Sequence, residues 1–284
     1  MRVLVTGGSG HIGKYVAGDL LDHGHEVVSV DRRPLTRDQV QPQQGLRFRE
    51  GDTTNVGHMA GAMAGCDAVI HLGAIPAPYL HPDEVVFANN VLGTFAVLQA
   101  ASLVGIKKAV IASSLSALGT AYAVRLFAPP YVPVDEDIPL LGQDCYALAK
   151  EVDERTGEMF HRRVGMQVLA YRFSWVAHAD DIKNMTAKIA RDPRHDNWWR
   201  LLWSYVDVRD AAAACRLGIE VDGLGFEVFN ITASDTLSNA PTEELVRQYC
   251  PDTEIRSPIT GTESAFSIAK ARRLLGYEPH HGWR

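Results

Sequence analysis

The feature that most constrains this chain is a glycine-rich turn near its start, Thr6-Gly-Gly-Ser-Gly-His-Ile-Gly13. It lies between the apolar run Val3-Leu4-Val5 and an amphipathic stretch from Ile12 to Leu21. Glycines at 7, 10 and 13 permit a tight turn, close approach of backbone to a ligand, and close packing of helix on strand. The helix start then offers unpaired N–H groups and a positive dipole end, which suit a phosphate; Gly7, Gly10, His11, Ile12 and Gly13 are the candidate contacts. A glycine triplet alone is an ordinary turn. Here it has strand–turn–helix context, and Asp31 closes a second β-branched run 18 residues after Gly13. An acid at that place accepts hydrogen bonds from ribose hydroxyls and repels a 2′-phosphate, which favours NAD over NADP. Arg32 and Arg33 argue the other way, because either is able to hold a 2′-phosphate if Asp31 turns aside.

The pattern continues as alternating β-branched runs and amphipathic stretches. Strands are expected at Glu26–Asp31, Leu46–Glu50, Ala68–Leu72, Ala109–Ser113, Gln167–Arg172 and Phe226–Ile231. Helices are expected at Val86–Val104, Tyr146–Arg163, from Asp207, from Thr242, and at Ile268–Leu275. Residues 124–145, rich in proline and acid, read as a surface loop, and Ala177–Trp203 as an irregular stretch. Such alternation predicts an α/β protein, a Rossmann doubly wound parallel sheet with a small C-terminal substrate lobe. The expected division is a dinucleotide-binding domain over residues 1–172, followed over 173–284 by the remaining sheet elements interleaved with that lobe.

The glycine spacing together with Tyr146-Ala-Leu-Ala-Lys150 resembles the short-chain dehydrogenase/reductase family, and further pieces resemble its extended, epimerase/dehydratase branch. Those pieces are Gly51-Asp52, His71-Leu-Gly-Ala74, Asn90-Val-Leu-Gly-Thr94, Ser113-Ser114, Tyr205-Val-Asp-Val-Arg-Asp210 and the closing Ala269–Pro279 segment. They run in the family's order over nearly the whole chain. The resemblance implies that Asp52 and Thr53 lie at the adenine, that Leu72, Gly73 and Ala74 lie beneath the cofactor, and that Asn90 serves the same site. It also implies that Ser114 hydrogen-bonds the substrate oxygen and that Lys150 binds the nicotinamide ribose.

Tyr146 and Lys150 stand four apart, hence one turn apart on one helix face. A phenol ordinarily titrates near 10, so a base of this type needs a neighbouring ammonium to favour its ionised form. With the resemblance, Ser114, Tyr146 and Lys150 are the expected catalytic set.

Departures from the family bear on chemistry. Its 4,6-dehydratases carry an Asp-Glu pair where this chain has Leu115-Ser116, so dehydration is disfavoured. Its epimerases usually carry Tyr-Gly where this chain has Leu118-Gly119. About thirty residues separate Arg172 from Tyr205, a short connection for enclosing a nucleotide diphosphate. The expectation is therefore dehydrogenation of a free sugar or sugar acid, with an NAD-retaining sugar or nucleotide-sugar epimerase as the alternative. Candidate substrate contacts are Ser116, Arg172, Ser174, Trp175, Arg191 and Arg200, with His178, Arg194 and His195 further possibilities; arginines suit carboxylates or phosphates. Trp198, Trp199 and Trp203 are able to stack on a sugar ring, though packing is the commoner role.

A net charge of −6 with interspersed signs gives no basic track for nucleic acid. No secretory signal pattern opens the chain, and no apolar run reads as a membrane span. Four cysteines without paired spacing and eleven histidines without metal spacing suggest free thiols, a cytoplasmic setting and no metal. His280-His281 reads as an exposed tail. Small and apolar residues crowd the helices at Val86–Val104 and Tyr146–Arg163, more than one face needs. In similar proteins such helices pair across a two-fold axis, so a homodimer is expected.

Overall fold

The computed structural model describes residues 1–33 and 45–284. Its chain runs β1 (Arg2–Thr6), α1 (Gly13–Asp22), β2 (Glu26–Asp31), β3 (Leu46–Glu50), α2 (Val56–Ala62), β4 (Ala68–His71), α3 (Asp83–Leu103) and β5 (Lys108–Ser114). There follow β6 (Tyr131–Val132), α4 (Cys145–Val164), β7 (Gln167–Phe173), β8 (Trp175–Ala177), α5 (Ala179–Arg191), β9 (Tyr205–Asp207) and α6 (Val208–Glu220). The last elements are β10 (Phe226–Ile231), α7 (Thr242–Tyr249), β11 (Glu254–Ile255) and α8 (Ala269–Leu275).

Seven strands form one sheet in the order β10-β7-β5-β4-β1-β2-β3, every pair parallel. Parallel strands need crossovers that bury both sheet faces, which is why β4 and β7 are buried at every residue. One face packs Val3, Val5 and Ile70 against α1, α6 and α8; the other packs Leu4, Val69 and Ile111 against α2, α3 and α4. This is the expected Rossmann fold. Strand order reverses between β1 and β4, and in such sheets the crevice at the carboxyl ends there receives the ligand. Close packing relies on Gly218 in α6, where a Cβ would stand 2.1 Å from the Tyr171 hydroxyl.

Four expectations need correction. The stretch after Ala177 is not irregular: α5 occupies Ala179–Arg191, with Ile182, Thr186 and Ile189 buried at helical spacing. The stretch 124–145 carries the short strand β6, paired in parallel with β11, and ends inside α4. The histidine tail is docked: the backbone N–H groups of His280 and His281 donate to the buried Asp210 carboxylate, which also takes His281 Nδ1 at 2.7 Å. Finally, α3 is long and apolar enough to cross a membrane by length and composition, with mean hydropathy 1.4. Half of that window is buried against the rest of the protein, chiefly through packing on α2 and α4.

Candidate active site

The glycine loop is built so that only glycine fits. Gly7 has φ +66°, and a Cβ there would meet Gly73 N at 2.9 Å; one on Gly13 would meet Gly7 O at 2.2 Å. No side chain caps the N-terminus of α1; the N–H groups of Lys14, Tyr15 and Val16 donate back to Gly10 O and Ile12 O, and Gly13 lines the space beside the loop. That space is a cleft of about 320 Å³ lined by Gly7, Gly10, His11, Ile12, Gly13, Asp31, Arg32, Thr53, Leu72, Gly73 and Ala74, among others. The Asp31 carboxylate is oriented by the backbone N–H groups of Ser9 (3.1 Å) and Arg33 (3.3 Å). Arg32 is drawn off to Asp52 (3.0 Å) and Asn89 (2.9 Å), and among the described residues Asp31 has no ion-pair partner at the cleft's edge. A cradle that a Cβ would fill, an uncapped helix start and an oriented acid fit a dinucleotide.

A second cavity, of about 370 Å³, adjoins the first and shares His11, Ile12, Leu72, Ala74 and Pro76 with it. Ser114, Ser116, Tyr146, Lys150, Ser174 and Trp175 all line it. Local sequence explains their positions. Ser114 ends β5 and caps a single turn over Leu115–Leu118, accepting from Ser116 N at 3.1 Å. Asp144 caps α4, accepting from Tyr146 N (2.9 Å) and Ala147 N (2.8 Å), which fixes the tyrosine in the first turn. Lys150 follows one turn later, with Nζ 5.7 Å from the Tyr146 ring centroid.

Lys150 is fully buried and donates to Ala112 O (2.6 Å) and to the Asp153 carboxylate (3.2 Å). Burial opposes its charge, but Asp153 beside it and Tyr146 nearby carry its pKa above the usual lysine value. Its ammonium is therefore a fixed positive charge one helical turn from the tyrosine.

Beneath the cleft, His71 is buried and shares a 2.7 Å hydrogen bond with Thr6 Oγ1. Burial, then the Lys150 ammonium, push its pKa down to about 3. The unfolded chain protonates this residue near 6.5, so between those values the unfolded state binds the extra proton. Folding stability is accordingly complete above about pH 6.5 and falls as pH drops, by up to about 1.4 kcal/mol per unit. Urea denaturation at pH 7 and pH 5 is expected to give a steeper loss for the wild type than for His71→Gln; equal losses would contradict this.

Other sequence candidates lie elsewhere. Arg172 does not enter the cleft: it is buried, pairs with Glu154 through Nε and Nη2 at 2.8 Å each, and donates to Glu136 O at 3.0 Å. Strand alternation turns Phe173 to the face opposite Arg172, and Phe173 and Ser174, at and just past the end of β7, line the cavity instead. Arg191 is exposed at the end of α5, and Arg200 lies 5.9 Å from the Trp199 ring centroid; neither lines the cavity. Asp52 is turned to Arg32 and Thr54, and the cleft is met instead by Gly51 and Thr53. Asn90 clamps both backbone groups of Ile75 (2.8 and 3.0 Å), shaping the cleft wall, while Asn89 lines it. Trp198 and Trp203 are buried core residues, and Trp175 is the tryptophan at the cavity. His178 packs on His11, ring centroids 4.3 Å apart. Among the described residues no cluster suited to a metal occurs.

Sequence reasoning missed Pro76, Tyr122 and Leu201, which also line the cavity. Leu201 falls in the stretch read as irregular, and Tyr122 sits in a loop with no periodic signal.

Comparison with known proteins agrees with this geometry. The model of the NAD-dependent epimerase/dehydratase family matches residues 3–232. The chain is 25% identical to a UDP-glucose 4-epimerase of Corynebacterium glutamicum, over 99% of this chain and 92% of that one. It is 27% identical to an NAD-dependent glucose-6-phosphate dehydrogenase of Haloferax volcanii, over 98% and 92%. In fold it resembles a short-chain dehydrogenase/reductase superfamily protein from Agrobacterium tumefaciens solved with bound NAD. That likeness has a TM-score of 0.74 at 22% identity and covers 100% of this chain and 94% of that one. The glycine cradle, the cleft at the strand switch point and the match over most of the length lead to one conclusion: the chain belongs to the NAD-dependent epimerase/dehydratase family of Rossmann-fold enzymes.

Proposed function

We propose that this protein is an NAD-dependent dehydrogenase that oxidises a hydroxyl group of a carbohydrate. The observation that carries the reading is the shared wall of the two cavities, which joins the glycine loop to the chamber of Ser114, Tyr146 and Lys150. Gly7, Gly10, Gly13 and the start of α1 would hold the cofactor's phosphates, Asp31 a ribose, and Lys150 the second ribose. Bound there, NAD supplies the hydride acceptor for the oxidation. Tyr146, with the Lys150 ammonium 5.7 Å from its ring, takes the proton from the substrate hydroxyl as general base. Ser114 donates to the substrate oxygen and holds it against that base.

Asp31 at the cleft's edge, with Arg32 drawn to Asp52 and Asn89, favours NAD over NADP. Calorimetry is expected to give tighter binding of NAD by about tenfold or more. Equal or tighter binding of NADP would reverse this part of the reading.

A second reading is favoured by one observation: the Corynebacterium relative, alike over nearly the whole chain, is a UDP-glucose 4-epimerase. An enzyme of that kind keeps its cofactor through turnover. The protein as purified is expected to carry little bound NAD and to leave UDP-galactose unchanged without added cofactor. Stoichiometric NAD together with UDP-galactose conversion would establish the second reading.

We also assign α5, α7 and the segments around them to a substrate lobe on the Rossmann core. The free cysteines suit a reducing compartment such as the cytoplasm. Leu92, Phe95, Leu103 and Leu148 on α3 and α4 are exposed apolar side chains that support pairing of these helices in a homodimer. Light scattering at twice the 31.2 kDa chain mass is the expected result, and the mass of one chain would refute it.

A further inference from the structure

The wall of the chamber bears on what kind of substrate enters it. Apart from the reacting set it is largely hydrocarbon: Pro76, Leu115, Phe173, Trp175, Val176 and Leu201. Hydroxyl groups of Ser116, Ser174 and Tyr122 supply neutral polarity. The Ser174 Oγ is buried and has no hydrogen-bond partner among the described residues.

Among the described residues of this lining, two are able to carry positive charge, and neither is free for an anion. Lys150 is bound to Asp153 and Ala112 O. His11 donates through Nε2 to Val176 O (3.1 Å), and burial, then the neighbouring His178, push its pKa below the ordinary value, so it is neutral at pH 7. Of the arginines that the sequence offered, Arg172 is paired with Glu154, Arg191 is exposed, and Arg194 and Arg200 lie beside Tyr249 and Trp199; none lines the chamber. A carboxylate, phosphate ester or diphosphate entering here would lose its hydration without gaining a counter-charge, which is costly.

The opposite quality is present on one side. The Tyr122 ring meets the Tyr146 ring edge-on at 6.3 Å, and Tyr79 meets Tyr122 at 6.1 Å, so three tyrosines run from the base outward. Burial pushes the Tyr122 hydroxyl pKa well up, so that side chain stays neutral. Tyr79, which meets Tyr122 without itself lining the cavity, is 76% exposed, so an aromatic face beside the cavity is open to an apolar group.

Building on the carbohydrate-dehydrogenase reading above, we propose that the chamber takes an uncharged carbohydrate bearing an apolar substituent, an aryl or alkyl glycoside. Its reacting hydroxyl lies at Tyr146, and its apolar end lies along Tyr122 and Tyr79. The same features exclude uronic acids, sugar phosphates and nucleotide sugars as preferred substrates.

The test is calorimetry on the full-length, NAD-saturated protein. The probes are glucose, galactose and mannose, each as the free sugar, the 4-nitrophenyl glycoside, the uronate and the 6-phosphate. At least one nitrophenyl glycoside is expected to bind about tenfold or more tightly than its parent sugar, with the uronate and phosphate weaker than both. Tyr79→Ala, at an exposed site where folding is not at risk, and Tyr122→Ala should each cut that preference several-fold. Tightest binding by a charged form, absence of binding throughout, or a preference unmoved by both substitutions overturns the proposal. Absorbance of NADH with the same compounds separates the two levels of the argument. NADH from a charged sugar alone removes the substrate class and leaves a dehydrogenase. Tight glycoside binding without NADH leaves the chamber's chemistry intact and removes the dehydrogenase.

Discussion

Tyr146→Phe is expected to lower turnover by about 10²–10⁴-fold while leaving NAD affinity within a few-fold of wild type. The phenyl ring keeps the packing of Tyr146 beside Tyr122 and under the first turn of α4, and only the proton acceptor is lost. Lys150→Ala is expected to damage both quantities. Its ammonium is the fixed positive charge near the tyrosine and a candidate ribose ligand, and its removal leaves Asp153 buried without its partner. Steady-state rates with NADH detection, paired with calorimetry of NAD, check the contrast. Wild-type turnover in Tyr146→Phe would remove the tyrosine from the mechanism.

The largest effect on stability is expected from Glu154→Ala. Glu154 and Arg172 are nearly fully buried, and the carboxylate takes both guanidinium nitrogens and the Ser113 hydroxyl at 2.6 Å. Removing one partner strands the other charge in a medium that solvates it poorly, a loss of about 3–5 kcal/mol. Glu154→Leu combined with Arg172→Met is expected to recover most of that, because a matched apolar pair carries no desolvation penalty. Urea denaturation measures both; a loss below about 1 kcal/mol for Glu154→Ala would mean that the pair is hydrated.

This ion pair also illustrates where sequence reading loses its hold. Arg172 looked like an anion ligand because it ends a strand leading into the cavity. Yet strand alternation sends it to the opposite side, and a partner 18 positions earlier in the chain gives no local signal. The glycine loop, Asp31 and the Tyr146/Lys150 spacing were legible because backbone geometry and helix period alone bring each group together. So were the inner strands of the sheet, such as β4 and β7, whose apolar runs answer to burial on both faces. Trouble began after Ala177. There α5 is amphipathic with three buried positions among many charges, and the turn over His195–Leu201 holds Asp196 and Asn197 at positive φ. Neither feature has a strong local signature, and both depend on packing around Trp203 and Leu245. The tail was misread for the same reason: the acid that holds His280 and His281, Asp210, lies some seventy residues earlier.

The central claim is net oxidation of a carbohydrate at the Ser114, Tyr146 and Lys150 site. Its most direct test is absorbance of NADH while the purified protein, with excess NAD, is offered a panel of carbohydrates. NADH is expected to accumulate in proportion to substrate consumed, and to be lost in Tyr146→Phe. Carbohydrate converted to an isomer with no NADH accumulating would contradict it.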